Sequence, residues 1–216
     1  IVREYLLKNP EIIQEAIMEL RKKQEMAETT ARTKALQSYK KDIFESPRDV
    51  VLGNPKGNVT LVEFFDYNCG YCKRGLPEVQ KLLESDKKVR FVFKEFPILS
   101  KGSEEAARGA LAAKRQSKYW EYHQALLSAK GQANEAAAIK AAEGLGLDMA
   151  KFKADMASDE VKAEIESVKD LAKKMGINGT PHFLVGDKSI PGAPEDLHDQ
   201  LETLVTGFRK TGCSYC

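Results

Sequence analysis

Apolar positions fall into three regimes along the chain. Over residues 1 to about 45 they recur at three- and four-residue intervals, at Val2, Leu6, Ile13, Ala16 or Ile17, and Leu20. That spacing predicts a helix with one apolar stripe. Asn9-Pro10-Glu11 predicts its start, with Asn9 as N-cap and Pro10 in the first helical position. After Ala27 the stripe fades into Thr29, Thr30, Arg32 and Lys34. Such a stripe must be covered, either by its own domain or by another copy of the chain. The second reading is favoured, because residues 46 to 210 read as a complete domain. The expectation is an arm over 1–45 that holds a homodimer or homotrimer.

The second regime is strand-like. Ser46-Pro47 and Gly53 to Gly57 are breakers, with a short edge strand at Val50-Val51-Leu52 between them. Val59 to Phe65 is a continuous apolar run holding one acid, Glu63, which predicts a buried central strand. Cys69-Gly70-Tyr71-Cys72 follows, then a helical pattern to Ser85 (Leu76, Val79, Leu82, Leu83), then a strand over Val89 to Phe96. A β-α-β unit makes a parallel pair.

The third regime, from about 103 to 175, is rich in Ala, Lys and Glu and broken near Gly131, Gly144-Leu145-Gly146 and Ser158. It predicts four or five helices inserted as a block. Strand character returns at Gly179 to Val185. A Gly186-Asp187 turn and a short antiparallel strand follow, and an amphipathic helix over Asp196 to Phe208 closes the domain. The fold class is α/β, with a tail over 211–216.

Composition narrows the function. Hydrophobic residues make up 42% and charged residues 31% of the 216, which fits a globular domain with a buried core. A net charge of +2 without a basic stripe argues against nucleic acid as partner. No apolar run approaches 18 residues, so no membrane-spanning helix is expected. Ile1 to Glu11 carries charges and a proline where a secretory core would sit. The chain is therefore read as a form whose leader has been removed.

Four cysteines form two C-x-x-C pairs, Cys69 with Cys72 and Cys213 with Cys216. Pairing without leftovers points to redox or metal chemistry. Cys69 and Cys72 sit where a strand gives way to a helix. The free N–H groups and dipole of the helix start favour a thiolate at Cys69. Cys72, one turn deeper, is expected to resolve the mixed disulfide. The rival readings are an inert disulfide, half of a zinc site, and a soft-metal site, for example for Cu(I). No metal and no cofactor is assigned. Cys213 and Cys216 lack a helix start, and a surface disulfide or a frayed tail is the favoured reading there.

Phe64-Phe65-Asp66-Tyr67-Asn68-Cys69-Gly70-Tyr71-Cys72, followed by Gly179-Thr180-Pro181, resembles the DsbA family of thioredoxin-like proteins over about residues 46 to 210. The resemblance implies a thioredoxin fold with an inserted helical domain, and thiol–disulfide exchange on secreted or periplasmic proteins. It implies a cis Pro181 facing the cysteines, with Thr180 lending backbone groups to a bound peptide beside Gly70 and Tyr71. The Gly70-Tyr71 dipeptide and Thr180 look like those of DsbC-type isomerases. The N-terminal arm resembles the multimeric Com1-like and ScsC-like subgroup. Isomerase or reductase activity is thus favoured over pure oxidation, with copper handling by the same cysteines as the alternative. A membrane redox partner of DsbD type, or DsbB type for an oxidase, is implied. Glu63, six positions before Cys69, resembles the family's buried acid, and Lys94 resembles that acid's lysine partner.

Overall fold

Seven consecutive residues of β2 (Val59–Phe65) are buried, because the strand lies in the middle of the sheet and both its faces are covered. The computed structural model describes residues 2–213, except for the side chains of Glu25, Glu28 and Arg32. Its sheet has the order β1-β3-β2-β4-β5. β3 (Val89–Glu95) runs parallel to β2. β1 (Val50–Gly53), β4 (His182–Val185) and β5 (Lys188–Pro191) complete it through antiparallel pairs, with β1 and β5 at the edges. The β-α-β unit, the edge strand at 50 and the closing hairpin all stand where the sequence pattern puts them.

Alternation along β2 divides the core. Leu61 and Phe65 join one apolar cluster with Cys69, Cys72, Phe91 and Phe93. Val62 and Phe64 join a second, with Leu36, Ile43, Phe44, Val92 and Leu171. Helix α3 (Gly70–Ser85) packs on the first face through Cys72, Leu76, Val79 and Leu82. The closing helix, α9 (Leu197–Thr211), contacts α3 and adds Leu197, Leu201 and Val205 to the same cluster.

The inserted block consists of five helices between β3 and β4. These are α4 (Lys101–Lys114), α5 (Tyr119–Ser128), α6 (Glu135–Gly144), α7 (Met149–Ala157) and α8 (Asp159–Lys174). Asn134, Asp148 and Ser158 cap α6, α7 and α8 by accepting a backbone N–H, as short polar side chains do at helix starts.

The N-terminal segment differs from expectation in two ways. It is a short helix, α1 (Val2–Lys8), and a 34-residue helix, α2 (Glu11–Phe44), about 50 Å long. Asn9 does not cap α2. Its side-chain amide donates back to the Tyr5 carbonyl at 2.9 Å and closes α1 instead. The last turns of α2 also belong to the catalytic body, since Leu36, Ile43 and Phe44 are buried in its second cluster. The backbone leaves helical geometry at Tyr39 (φ −117°, ψ 19°) within that docked end, between Leu36 and Ile43. Val2, Tyr5, Leu7, Ile13, Ile17, Met18, Leu20 and Met26 all stand exposed.

Candidate active site

Cys69 is the N-cap of α3, with an extended backbone (φ −78°, ψ 117°). Its carbonyl accepts the Lys73 N–H at 3.1 Å, the first bond of the helix. The N–H groups of Tyr71 and Cys72 face its sulfur without closing a full capping bond. A thiolate there meets the unpaired donors that a helix start leaves open.

The two thiols are free and differ sharply in setting. Cys69 keeps 6% of its surface in solvent and Cys72 only 1%. A hydrogen bond from the Cys72 thiol pulls Cys69 down to a pKa of about 5, against burial, which acts the other way. The Thr180 side chain and the two helix N–H groups add to the lowering. Burial pushes Cys72 far up, reinforced by its bond to Cys69 and the nearby Glu63 charge. Cys69 is therefore the thiol that ionises more readily, and Cys72 the shielded one.

Thr180 and Pro181 complete the site from the other half of the sheet. The Thr180–Pro181 bond is cis. Cys69 Sγ lies 3.1 Å from the Thr180 carbonyl, which accepts the hydrogen of the neutral thiol. The Pro181 carbonyl is held by the Gly192 N–H at 2.8 Å. Gly70 has open space around its Cα, and Tyr71 is 56% exposed with the Arg74 guanidinium 4.6 Å from its ring centre.

Glu63 points to the thiol face, between Leu61 and Phe65. Burial raises its carboxyl to a pKa of about 8, and the negative charge of Cys69 adds to the shift. Lys94 does not join it. The parallel register sets Glu63 opposite Phe93 and Lys94 opposite Phe64. Paired residues share a face, so Lys94 lies on the far side of the sheet. There its ammonium binds Asp49 Oδ1 at 2.5 Å and the Asp42 carbonyl at 2.7 Å. The expected Glu63–Lys94 partnership is thus replaced by a pin between β3, the end of α2 and the turn before β1.

Sequence reasoning missed two polar networks around the thiols. Asp66 is buried. Its Oδ1 accepts the Asn68 N–H at 2.7 Å, and its Oδ2 accepts those of Ile98 and Leu99 at 2.8 and 3.0 Å. Asn68, next to Cys69, bonds to Ala133 and Ser103 in the insert. The only signal was the Asp-x-Asn spacing, which suits an Asx turn. Deeper, Tyr67 and Tyr119 both donate to Glu95 Oε1, at 3.2 and 2.8 Å. His123 Nδ1 stands 3.2 Å from the Tyr67 hydroxyl, and burial lowers that imidazole to a pKa of about 3. No local pattern links residues 67, 95, 119 and 123; the fold alone assembles them. Of the C-terminal pair, Cys213 is disulfide-bonded, and Cys216 lies outside the described residues.

Residues 60–204 match the family model of the DSBA-like thioredoxin domain. The chain belongs to that family. Residues 1–27 match the N-terminal domain of the copper resistance protein ScsC. A thioredoxin-like oxidoreductase from Silicibacter pomeroyi is 48% identical, with a TM-score of 0.75 over 79% of this chain and 97% of that one. ScsC from Proteus mirabilis, in a transitional conformation, is 29% identical, with a TM-score of 0.75 over 97% of this chain and 94% of that one. The disulfide bond formation protein D of Bacillus subtilis is 29% identical over 65% of this chain and 68% of its own length. Other curated relatives are Na+/H+ antiporters, such as that of Salinispora tropica at 33% identity over 74% of this chain; the chain spans about a quarter of their length. The chain thus carries a DSBA-like thioredoxin domain, and Cys69 and Cys72 are the pair whose geometry suits thiol–disulfide exchange.

Proposed function

We propose that this protein reshuffles or reduces disulfides in secreted and periplasmic proteins, acting as a homo-oligomer, and that pure oxidation is not its main task. The observation that carries the chemistry is the activated Cys69 at the start of α3, facing Thr180 across the sheet. The Cys69 thiolate attacks a substrate disulfide. One Cys69–substrate S–S bond forms, and one substrate thiolate leaves. In isomerisation a second substrate thiolate attacks Cys69's partner sulfur and returns the Cys69 thiolate, with no net electron transfer. In reduction Cys72 attacks Cys69, passes its proton to the Glu63 carboxylate, and the second substrate thiolate leaves. Loss of the Cys69 charge in the mixed disulfide removes the smaller cause of Glu63's raised pKa, burial being the larger, and so shifts the carboxyl towards the form that accepts the proton.

Three features favour isomerisation: the Gly70-Tyr71 dipeptide, Thr180 before Pro181, and an arm whose apolar side chains stand uncovered in a single chain. A thiol reductant at the membrane, of DsbD type, keeps the pair reduced; a quinone-linked DsbB-type partner would serve an oxidase. Among the described residues no helix is long and apolar enough to cross a membrane. The deciding experiment is refolding of a scrambled protein substrate, together with the reduction potential of the Cys69–Cys72 pair. Isomerase activity is expected, with a potential near the roughly −180 mV of disulfide isomerases. A potential near about −120 mV with no activity on the scrambled substrate overturns it.

The match of residues 1–27 to a copper-resistance domain favours a second reading, Cu(I) held as cargo by the same two soft thiols. Cu(I) titration of the reduced protein should then show one bound equivalent that Cys69→Ser abolishes.

A further inference from the structure

Outside the arm, the large apolar side chains that stand exposed among the described residues are Tyr71, Ile98 and Leu99. Tyr71 lies between the cysteines. Ile98 and Leu99 lie in the segment between β3 and the insert, 27 and 28 positions further on. One carboxylate joins the two places: Asp66 accepts the N–H groups of Asn68, Ile98 and Leu99, while its carbonyl accepts that of Cys69 at 3.0 Å.

A second tie fastens the same turn to the insert. Asn68 Nδ2 donates to the Ala133 carbonyl at 2.8 Å, and Asn68 Oδ1 accepts the Ala133 N–H at 2.8 Å. The amide thus pairs with one backbone residue as a neighbouring strand would. Nδ2 also reaches Ser103 Oγ at 3.0 Å, beside Ser100, the cap of α4. The close approach needs Gly102, because a Cβ there would lie 2.6 Å from the Ala133 carbonyl oxygen. Lys73 adds two bonds to the same loop, to the carbonyls of Ala129 and Gly131 at 3.2 and 3.1 Å.

We propose that Asn68 is a positioning residue that sets specificity for polypeptide over small disulfides, by fastening the insert to the turn that carries Cys69 and that holds Ile98 and Leu99 through Asp66. This rests on the reading of the protein as a thiol-exchange enzyme. A small disulfide needs only the sulfur and the Thr180 carbonyl. An unfolded polypeptide also has to place apolar side chains around its disulfide, and it uses the far rim of the site. Loosening the rim therefore weakens polypeptide binding more than it slows the chemistry.

The test compares kcat/KM for a scrambled protein with kcat/KM for a small aromatic disulfide. Asn68→Ala should lower the ratio of the two about tenfold, through KM for the protein. Gly102→Ala, which touches neither thiol, should lower it likewise by displacing the Ala133 carbonyl. Ile98→Ser/Leu99→Ser should do the same, and should add less than twofold on top of Asn68→Ala, because the two act on one surface. A ratio within twofold of wild type in both Asn68→Ala and Gly102→Ala, or full additivity with the rim variant, overturns the proposal. Failure of the wild-type protein on both substrates would instead overturn the exchange reading itself.

Discussion

Cys69 Sγ and the Thr180 carbonyl oxygen, 111 positions apart in the chain, lie 3.1 Å from each other. The contact brings the two halves of the fold to one point, and the insert between them reaches the same point through Asn68. The groups that favour the Cys69 thiolate come from both halves, the helix start at Tyr71 and Cys72 and Thr180 before β4.

Alkylation of the reduced protein should titrate with a midpoint near pH 5 and label Cys69 before Cys72. Thiolate absorbance in the ultraviolet reads the same midpoint. Cys72→Ser should accumulate mixed disulfides, whereas Cys69→Ser should form almost none. The lowered pKa also links to stability. Ionisation of Cys69 favours the folded reduced form fully above about pH 9, and the advantage fades as pH falls through 5. A midpoint above 8 would end the assignment of roles.

Glu63→Gln should leave the first attack nearly intact and slow the attack of Cys72 by about 10²-fold, the lower end for a positioned base. Single-turnover kinetics separate the two steps. The carboxyl is raised in the folded state, so its contribution to stability is full below pH 4.5 and is lost as pH rises through about 8. Denaturant melts of wild type and variant should converge towards acid and separate towards pH 9, with the variant the more stable.

Lys94 answers to stability. Lys94→Met strands the Asp49 carboxylate in the core and should cost about 3–5 kcal/mol, as broken buried pairs do. The Cys69 midpoint should stay within a few tenths of a pH unit of wild type. Adding Asp49→Asn should recover much of the loss. A large change in the thiol midpoint would restore the partnership with Glu63 that the register denies.

Deletions in the arm should give two different outcomes. Removing residues 1–34 takes away the exposed stripe, and should leave a folded monomer that reduces a small disulfide but has lost isomerase activity. Removing residues 1–45 also takes Leu36, Ile43 and Phe44 out of the second cluster. At about 2–5 kcal/mol for each large core side chain, that protein should not fold. Light scattering of the full chain is the companion measurement, and a monomer mass at micromolar concentration would contradict the oligomer.

Much of this was legible in the sequence, because the decisive signals are local. A β-branched run, a C-x-x-C at a strand-to-helix junction and a Thr-Pro opening a strand each declare themselves within a few residues. What stayed hidden depends on register or on distant meetings. Lys94 could be placed on a strand, but its face follows from pairing with β2, and one step of register reverses it. The end of α2 looked like arm because its apolar residues are sparse; Leu36, Ile43 and Phe44 become core only once the sheet offers a face. Glu95 and His123 carried no motif, and only the folded chain brings Tyr67 and Tyr119 to them.

The alternation along β2 has a practical meaning for engineering. Leu61, Glu63 and Phe65 face the thiols, while Val62 and Phe64 face the docked end of α2. Two sets of substitutions interleaved in one seven-residue strand therefore govern separate properties. A library varied at 62 and 64 would retune how the arm seats on the body, while one varied at 61, 63 and 65 would retune redox behaviour. This seam would let a foreign stem be grafted behind the sheet without rewriting the chemistry in front of it.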